Sequence, residues 1–338
     1  MNAARHVIRI AGSDVRFDAE PGDNLLRAGL RSGVGLAHEC NAGGCGTCKF
    51  DLVGGTVQDL WPDAPGLSDR ERGRGRRLAC QCVPTSDCEI KMRRGDEFIA
   101  EVPPLRFEAE FKGSRTVTAD IRAFRFLGDV PARFAPGQYA LLTMPGIDQP
   151  RAYSMSNQPN ERGEWEFMIR RVAGGCVSPL LFDALRDGDR VQVDGPLGLA
   201  HWRPESARDV VCIAGGSGIA PMLSIANAAT AGRRDGQLTR LFYGGRTPAD
   251  IPAFDDWLYD ASRVGVLAAV SAAAPEGGDD WTGERGFIHE VALRTLAGDH
   301  ASTDFYLARP PPMIETIVRL LVVDCAVPAD RIHYDRFF

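Results

Sequence analysis

The sequence lacks any apolar run close to the roughly 20 residues that a helix needs to span a bilayer. The longest candidate, VGVLAAVSAAAP at positions 264–275, has too few residues. The N-terminus lacks the apolar core of a signal peptide. The sequence also lacks an excess of positive charge, since its formal net charge is −6. A general nucleic-acid binder carries a basic surface, so this charge argues against that class. These absences predict a cytoplasmic protein with neither a membrane nor a nucleic acid as its partner.

A cytoplasmic location also argues against disulfide bonds, because the cytosol keeps thiols reduced. The nine cysteines among 338 residues therefore need another explanation. Six of them fall within the first ninety residues, at positions 40, 45, 48, 80, 82 and 88. A chain of this length predicts two or three domains, so we expect the first ninety residues to form a cysteine-rich module of their own.

The segment HECNAGGCGTCKFDL places Cys40, Cys45 and Cys48 in a C-x4-C-x2-C spacing, and Cys80 follows after a gap of 31 residues. This is the spacing of a plant-type [2Fe–2S] ferredoxin, a class with a reduction potential of about −400 mV. Three thiolates must converge on one inorganic core from a single loop. The glycines between them can take positive φ and let backbone N–H groups approach the sulfurs.

A tetrahedral zinc site is the alternative for four cysteines. Structural zinc usually takes two separate C-x2-C pairs, and only one pair here has that spacing, so the iron–sulfur interpretation is favoured. Cys82 lies two residues beyond Cys80 and would share its face on a strand. We expect it to be a buried small hydrophobe rather than a ligand. The same expectation applies to the remaining cysteines, Cys88, Cys176, Cys212 and Cys325.

Short alternating stretches around the cysteine loop predict strands, and NLLRAGLRSG predicts a helix. Together they indicate a small α+β domain of the β-grasp ferredoxin type. The segment at positions 68–80 holds five arginines against two acids. It is expected either to be a solvated loop or to dock a partner beside the cluster.

Strand-like segments dominate from about residue 103 to residue 205, with Gly and Pro at intervals typical of a β-barrel or sandwich. In RAYSMSN, Arg151 and Tyr153 face the same side of a strand. Arginine can clamp a pyrophosphate in bidentate fashion, tyrosine can lie against a fused ring, and Ser154 can bond a ring nitrogen. GGCVS then leads into a helix, and a helix start preceded by glycine is a natural anion site. The candidate residues of this segment are Gly174, Gly175, Val177 and Ser178.

Residues 206–338 alternate strands with helices, which predicts a parallel sheet covered on both sides. DVVCIAGGSGIAPML reads as a buried strand, a glycine turn and the start of a helix. Gly215, Gly216 and Gly218 would let a phosphate approach the backbone, and Pro221 would start the helix whose dipole faces it. The spacing differs from the G-x-G-x-x-G fingerprint, so alone it is only moderate evidence of a nucleotide site.

These three motif sets, in this order, resemble the reductase components of bacterial multicomponent aromatic-ring oxygenases, of the benzoate and naphthalene dioxygenase type. The resemblance implies a multidomain chain with a β-grasp ferredoxin domain (1–95), an antiparallel β-barrel FAD-binding domain (103–205) and an α/β parallel-sheet NAD(P)-binding domain (206–338). It implies three cofactors: a [2Fe–2S] cluster on Cys40, Cys45, Cys48 and Cys80, FAD, and NADH, with NADPH as the alternative donor.

The same resemblance implies roles for individual residues. Arg151, Gly175 and Ser178 would contact the flavin pyrophosphate, Tyr153 would pack against the isoalloxazine ring, and Ser154 would bond flavin N5, so Tyr153 and Ser154 are the catalytic candidates. The nucleotide-site candidates are Gly215, Gly216, Gly218, Pro221, Arg246, Ala308, Arg309 and Pro310. Ala308-Arg309 stand where the family usually has Cys-Gly. Near the C-terminus, Asp335 and Phe337 match an acid and an aromatic that lie near the flavin edge in relatives.

The expected activity is electron transfer from NAD(P)H through FAD to the cluster. The expected acceptor is the terminal oxygenase, of the Rieske or diiron type, or an intermediate ferredoxin, and no aromatic substrate should bind this chain. A reductase of the same architecture that serves a deoxysugar-forming dehydratase is one alternative, and a non-catalytic redox sensor is the other. Arg246 and Asp250 favour opposite nucleotides, and we expect NADH because the family mostly uses it.

Overall fold

The computed structural model describes residues 5–147, 149–273, 280–296, 298 and 300–335. Its strands form three larger sheets, which follow one another along the chain, and a two-stranded ribbon. Within these residues, no helix combines the length and the apolar character needed to cross a membrane.

The first sheet belongs to the cysteine-rich part of the chain. Its elements are β1 (His6–Ile10), β2 (Arg16–Ala19), α1 (Leu25–Arg31), β3 (Lys49–Gly54), β4 (Val57–Asp59), α2 (Asp69–Gly73), β5 (Arg77–Leu78), β6 (Cys82–Pro84) and β7 (Cys88–Met92). The mixed sheet has the order β2-β1-β7-β3-β5, and β4 pairs with β6. Asn24 caps α1 by accepting from the N–H of Arg27, and its amide donates to the carbonyl of Cys80 at 2.7 Å. The helix start is therefore tied to the segment that carries the fourth cysteine.

The second sheet is antiparallel and nearly closed. Its elements are β8 (Leu105–Thr116), β9 (Ile121–Gly128), β10 (Tyr139–Thr143), β11 (Arg151–Ser154), β12 (Glu164–Arg170), α3 (Ser178–Asp183) and β13 (Arg190–Leu197). The strand order is β11-β10-β13-β8-β9-β12. A bridge between Met155 and Phe167 joins the two ends of this sheet, and Phe124, Phe126 and Trp165 fill its interior. The predicted antiparallel barrel architecture is confirmed.

The third sheet is parallel. Its elements are β14 (Asp209–Gly215), α4 (Ile219–Ala231), β15 (Thr239–Gly245), β16 (Val264–Val270), β17 (Glu284–Arg285), α5 (Ile288–Thr295), β18 (Thr303–Ala308), α6 (Pro311–Arg319) and β19 (Ile332–His333), in the order β17-β16-β15-β14-β18-β19. Alternate residues of β14 face opposite sides, since Cys212 packs with α4 and Ile213 packs with α5 and α6. Helices therefore cover both faces, as predicted. Because α4 begins at Ile219, Pro221 lies within its first turn, where a missing N–H costs no helical hydrogen bond.

The first and second sheets are joined by a shared core and by buried ion pairs. Leu197 of the barrel belongs to the same hydrophobic cluster as the residues of α1. Nη1 of Arg31 lies 2.6 Å from Oδ1 of Asp194, and its Nη2 lies 2.5 Å from Oδ1 of Asp23. Arg106 of β8 reaches back to Asp23 at 2.7 Å. Ion pairs therefore span this interface with the arginine on one side in one pair and on the other side in the next. These pairs hold α1 against the barrel.

The cysteines outside the cluster loop only partly follow the expectation of burial. Cys82, Cys88 and Cys212 are buried. The expectation is wrong for Cys176, which is exposed because it lies in the open loop before α3, and for Cys325, which is only partly covered at the end of a helical segment. Cys80 lies in a 3₁₀ turn, Ala79–Gln81, so it does not share a strand with Cys82.

Candidate functional site

The four cysteines predicted as cluster ligands come together as two pairs. The loop between α1 and β3 carries Cys40, Cys45 and Cys48, and the 3₁₀ turn before β6 carries Cys80. The sulfurs of Cys48 and Cys80 lie 3.3 Å apart, and the side chains of Cys40 and Cys45 are hydrogen-bonded to each other. The thiols of Cys45 and Cys80 also interact electrostatically, so the two pairs face one site.

Backbone N–H groups of the loop point at the sulfurs. The N–H groups of Ala42 and Cys45 each lie 3.4 Å from Sγ of Cys40, and the N–H of Thr47 lies 3.5 Å from Sγ of Cys45. The hydrogen bond from the Cys40 side chain, reinforced by Thr47, lowers the pKa of Cys45 to about 5. The same hydrogen bond raises the pKa of Cys40, so the loop stabilises one thiolate of this pair, and thiolate is the form that binds iron.

Two glycines allow the chain to make this loop. Gly43 and Gly46 have φ values of 85° and 75°, in the region that side chains disfavour. A Cβ on Gly46 would lie 2.5 Å from the carbonyl oxygen of Gly66, and a Cβ on Gly43 would lie 3.1 Å from the ring of Trp61. The loop thus depends on glycine both for its backbone conformation and for its close approach to the segment at 61–66.

This donor set fits a dinuclear iron–sulfur cluster. Each iron of such a cluster takes two thiolates, so the ligands are expected as two pairs at one site. A single zinc ion would instead draw all four sulfurs around one point. The amide nitrogen of Gln81 lies 3.6 Å from Sγ of Cys80 and adds a donor beside the second pair.

β11 places the predicted flavin residues beside the GGCVS loop. Nη2 of Arg151 lies 3.4 Å from Sγ of Cys176 in that loop. Two residues further along β11, Tyr153 is half-buried, and burial raises its pKa to about 12, so its hydroxyl stays protonated at neutral pH. Ser154 pairs across the sheet with Tyr139 of β10. The guanidinium, the phenol and the hydroxyl predicted to hold a flavin are therefore brought together on one strand.

Contacts among its own residues and with the segment just before it stabilise the GGCVS loop. Oγ of the buried Ser178 accepts from the N–H of Val172 at 2.9 Å. Gly174 has a φ of 73°, and a Cβ on Gly175 would lie 3.2 Å from the carbonyl oxygen of Val172. Val177 is buried in the barrel core. Together with Arg151, the loop forms a small cradle with a cation beside it, which fits the pyrophosphate end of FAD.

A cleft of about 470 Å³ lies beside the glycine turn of the third sheet. The predicted residues that line it are Gly215, Gly216, Arg246, Arg309 and Pro310. Gly218 instead faces the end of β18, where a Cβ would come within clashing distance of the carbonyl oxygen of Ala308. The close contact between Gly218 and Ala308 therefore shapes the turn, although neither residue lines the cleft. The turn leaves room for a phosphate at the backbone of Gly215 and Gly216.

Three residues of the barrel, Asp120, Ile121 and Arg170, also line this cleft, and none of the sequence motifs includes them. Asp120 precedes β9 and Arg170 ends β12, and Nε of Arg170 lies 2.5 Å from Oδ2 of Asp120. A Cβ on Gly216 would lie 3.5 Å from Nη1 of Arg170. No local pattern marks these residues, because their place depends on how the barrel meets the parallel sheet.

Tyr139 connects the flavin strand to the cluster loop. This side chain is fully buried. Its hydroxyl accepts from the amide of Asn41 at 3.0 Å and donates to the carbonyl oxygen of Glu39 at 2.5 Å. Since Tyr139 is the strand partner of Ser154, one residue contacts the loop that holds the cluster cysteines and the strand that holds the flavin candidates.

The predicted C-terminal acid also lies at this junction. Oδ1 of Asp335 accepts from the N–H of Leu199 at 3.2 Å. Burial raises the pKa of Asp335 to about 7. The negative charge of Glu39 in the cluster loop adds to this shift. Phe337, the predicted aromatic, lies outside the described residues.

Three family models match successive parts of the chain. A 2Fe-2S iron-sulfur cluster binding domain matches residues 8–85, an oxidoreductase FAD-binding domain matches residues 108–202, and an oxidoreductase NAD-binding domain matches residues 212–319. Their order is the one that the motifs predicted.

Similar proteins align along nearly the whole chain. A ferredoxin–NAD(P)⁺ reductase of Metapseudomonas resinovorans is 43% identical over 94% of this chain and 95% of its own. The reductase component of the naphthalene 1,2-dioxygenase/salicylate 5-hydroxylase systems of a Ralstonia species is 34% identical over 96% of each chain. A solved ferredoxin reductase in carbazole 1,9a-dioxygenase superimposes with a TM-score of 0.92 at 40% identity over 99% of both chains.

Proposed function

This chain belongs to the family of ferredoxin–NAD(P)⁺ reductases of multicomponent dioxygenase and monooxygenase systems, and we propose that its electrons pass to an oxygenase component, directly or through a separate ferredoxin. The chain is an NAD(P)H-dependent iron–sulfur flavoprotein oxidoreductase. FAD accepts two electrons as a hydride and releases them singly to a [2Fe–2S] cluster, which is chemistry that the cofactors supply. None of the nine cysteines forms a disulfide bond, which fits a reducing cytoplasm.

One observation most directly supports electron transfer from the flavin to the cluster within this chain, while the names of the relatives support the oxygenase as acceptor. Tyr139 pairs with Ser154 on the flavin strand and shares hydrogen bonds with Asn41 and Glu39 in the cluster loop. The residues that would hold the flavin are therefore linked to those that would hold the cluster through one buried side chain. Such a fixed arrangement suits electron transfer within one chain, and the ion pairs between α1 and the barrel help to fix it.

The proposed roles follow the geometry of the three sites. The thiolates of Cys40 and Cys45 would hold one iron, and those of Cys48 and Cys80 the other. Arg151 and the loop of Gly174, Gly175, Val177 and Ser178 would receive the flavin phosphates, while Tyr153 and Ser154 would position the ring. Gly215, Gly216, Gly218, Pro221, Arg246, Ala308, Arg309 and Pro310 would form the nucleotide site. We assign these sites to domains at 1–95, 103–205 and 206–338.

We propose NADH as the preferred donor. Asp250 follows β15 closely and accepts from the backbone N–H groups of Arg246 and Thr247 at 3.1 and 2.8 Å. Its carboxylate is therefore fixed at the end of the second strand of the parallel sheet, where an acid favours a free ribose 2′-hydroxyl over a 2′-phosphate. A higher kcat/KM with NADPH than with NADH would contradict this preference.

An anaerobic titration with NADH tests the proposed function. The purified protein is followed by absorbance and by electron paramagnetic resonance as NADH is added. We expect the flavin absorbance to bleach and a rhombic signal from the reduced cluster to appear. A preparation reconstituted with iron and sulfide that gave no such signal would overturn the proposal, and negligible NADH–cytochrome c turnover would point to a sensor instead.

A further inference from the structure

Leu60 and Trp61 directly follow β4 and are exposed to solvent, although both side chains are large and apolar. Their exposed fractions are 48% and 41%. Single apolar side chains on a surface are ordinary, whereas neighbouring ones that form a patch mark a site of interaction. The cluster, flavin and nucleotide sites make no use of these two side chains. We call them the Trp61 patch.

The Trp61 patch lies against both segments that carry the cluster cysteines. The N–H of Leu60 donates to the carbonyl oxygen of Gln81 at 2.8 Å, one residue beyond Cys80. The ring of Trp61 lies over the cluster loop, since a Cβ on Gly43 would come within 3.1 Å of it. The patch is therefore fixed to the two parts of the chain that would hold the cluster.

The cluster loop has one buried and one exposed side. Asn41 is buried and donates to the hydroxyl of Tyr139, which leads to the flavin strand. Ala42 is exposed, and Cys45 is partly exposed. Electrons that arrive past Tyr139 can therefore leave where the loop is open to solvent, and the Trp61 patch borders this loop.

The basic segment at 68–80, which the sequence offered as a docking surface, has much of its charge neutralised within the chain. Three of its five arginines form ion pairs at 3.3, 3.4 and 3.8 Å, and these are Arg72–Asp69, Arg76–Asp51 and Arg77–Asp59. Within the described residues, Arg70 and Arg74 form no ion pair, and both are exposed. Of the acids at 59–77, Asp63 alone shares that property among the described residues. The unpaired charge is therefore small and positive.

α2 holds this charge at the edge of the Trp61 patch. Nη1 of Arg72 donates to the carbonyl oxygens of Pro62 and Ala64 at 3.3 and 2.9 Å, which fastens the helix beside the patch. Arg70 and Arg74 lie four positions apart on the outer face of this short helical segment. An apolar centre with two guanidinium groups at its edge complements a face that is apolar in the middle and acidic at its rim.

We propose that the protein that accepts electrons from this chain docks on the Trp61 patch, with acidic groups facing Arg70 and Arg74. Apolar contacts at the centre of an interface exclude water and supply most of the affinity. Charges at the rim act mainly on the rate of association. This inference rests on the proposed function, which makes an oxygenase component or a ferredoxin the acceptor.

The test measures how the full chain reduces a purified Rieske-type ferredoxin of an aromatic-ring dioxygenase system with NADH. Leu60→Ala and Trp61→Ala should each raise the KM for this ferredoxin by about tenfold or more, because each removes an apolar contact from the centre of the interface. Reduction of ferricyanide and the rhombic signal of the cluster should not change, since neither depends on docking.

Two exposed side chains elsewhere provide matched controls. Val53 lies on β3, five residues beyond Cys48, and Tyr259 lies between β15 and β16. Val53→Ala removes an apolar side chain from the ferredoxin part of the chain, and Tyr259→Ala removes an aromatic ring. Both variants should keep the KM of the unchanged protein for the ferredoxin.

The salt dependence tests the acidic rim. The double variant Arg70→Gln, Arg74→Gln should lower kcat/KM for the ferredoxin by about threefold or more at low ionic strength. In high salt it should match the unchanged protein, because salt screens exposed charges. The same salt dependence in both proteins would contradict the acidic rim.

Three results would overturn the docking site. One is an unchanged KM in Leu60→Ala and Trp61→Ala, and another is an equal rise in the two controls. If Trp61→Ala loses the rhombic signal, Leu60→Ala decides alone, because its backbone hydrogen bond to Gln81 needs no side chain. The third is a chain that sediments as a dimer and becomes monomeric with Leu60→Ala, which would place a second copy on the patch.

Failure of the proposed function would look different. An unchanged protein that reduced ferricyanide normally but did not reduce the ferredoxin would contradict the proposed acceptor, whatever the variants did. Loss of docking in Leu60→Ala alone, with the unchanged protein active, supports both the acceptor and its site.

Discussion

Tyr139 is the residue at which the supports of the two electron carriers meet. Its hydroxyl both accepts from Asn41 and donates to the carbonyl of Glu39, and burial raises its pKa well above the usual value. The phenol therefore remains protonated and keeps both hydrogen bonds over the whole working range of pH. These hydrogen bonds hold the loop of Cys40, Cys45 and Cys48 against β10.

Removing this hydroxyl should slow electron transfer to the cluster without affecting the flavin. Tyr139→Phe leaves the buried amide of Asn41 and the carbonyl of Glu39 without this partner, which costs about 1–3 kcal/mol of stability. In stopped-flow absorbance with NADH, we expect flavin reduction at the unchanged rate and slower reduction of the cluster.

Tyr306→Phe is the control for this prediction. Tyr306 of β18 is equally buried, and its hydroxyl accepts at 3.2 Å from the N–H of Arg203, which lies in the segment between β13 and β14. This variant should lose stability but reduce its cluster normally. Equal cluster reduction rates in both variants would show that Tyr139 has no special part in the transfer.

At the scale of elements, α1 and β13 are joined by charge rather than by backbone pairing. Asp194 of β13 contacts Arg31 at 2.6 Å and Arg27 at 3.4 Å. Its side chain is only 5% exposed, so water screens these pairs little. Breaking a buried pair by removing one partner is costly, because the other charge stays buried without compensation.

Asp194→Ala should therefore lower stability by roughly 3–5 kcal/mol. The exposed pair between Arg190 and Glu108 joins the neighbouring strands β13 and β8 at 3.1 Å. Glu108→Ala is the matched control, and its expected cost is at most about 1 kcal/mol. Denaturant unfolding of the three proteins measures both values. Equal midpoints for the two variants would show that the buried network does not hold the ferredoxin part in place.

The elements also show what a sequence can and cannot predict. The cluster loop, the R-x-Y-S strand and the glycine turn were predictable because each site is built from residues close together in the chain. The contacts of Arg31 with Asp194 and of Asn41 with Tyr139 join residues 163 and 98 positions apart. No periodicity or spacing marks such pairs, since they depend on how finished domains dock. Arg170, in the cleft beside the glycine turn of the third sheet, was not predicted for the same reason.

At the scale of the whole molecule, each third of the chain supplies one site, and the sites meet at seams. The four thiols belong to the first sheet, the flavin candidates to the barrel, and the glycine turn to the parallel sheet. The first seam combines Tyr139 with a shared apolar core and the ion pairs of α1, and the second brings Arg170 and Arg309 to one cleft. A substitution in one third of the chain should therefore impair either reduction of the flavin or reduction of the cluster without impairing the other.

Cys80→Ala tests this separation. The variant loses one of the four proposed cluster thiolates but leaves the barrel and the parallel sheet unchanged, so NADH should still reduce the flavin and, through it, ferricyanide. Cytochrome c reduction, which needs the cluster as a one-electron carrier, should fall to background. Cys82→Ala is the control, because Cys82 is buried two residues away on β6 and removing its sulfur costs only packing. It should keep both activities and the rhombic signal. If Cys80→Ala reduced cytochrome c as well as Cys82→Ala does, electrons would leave from the flavin, and the cluster would not lie on the route.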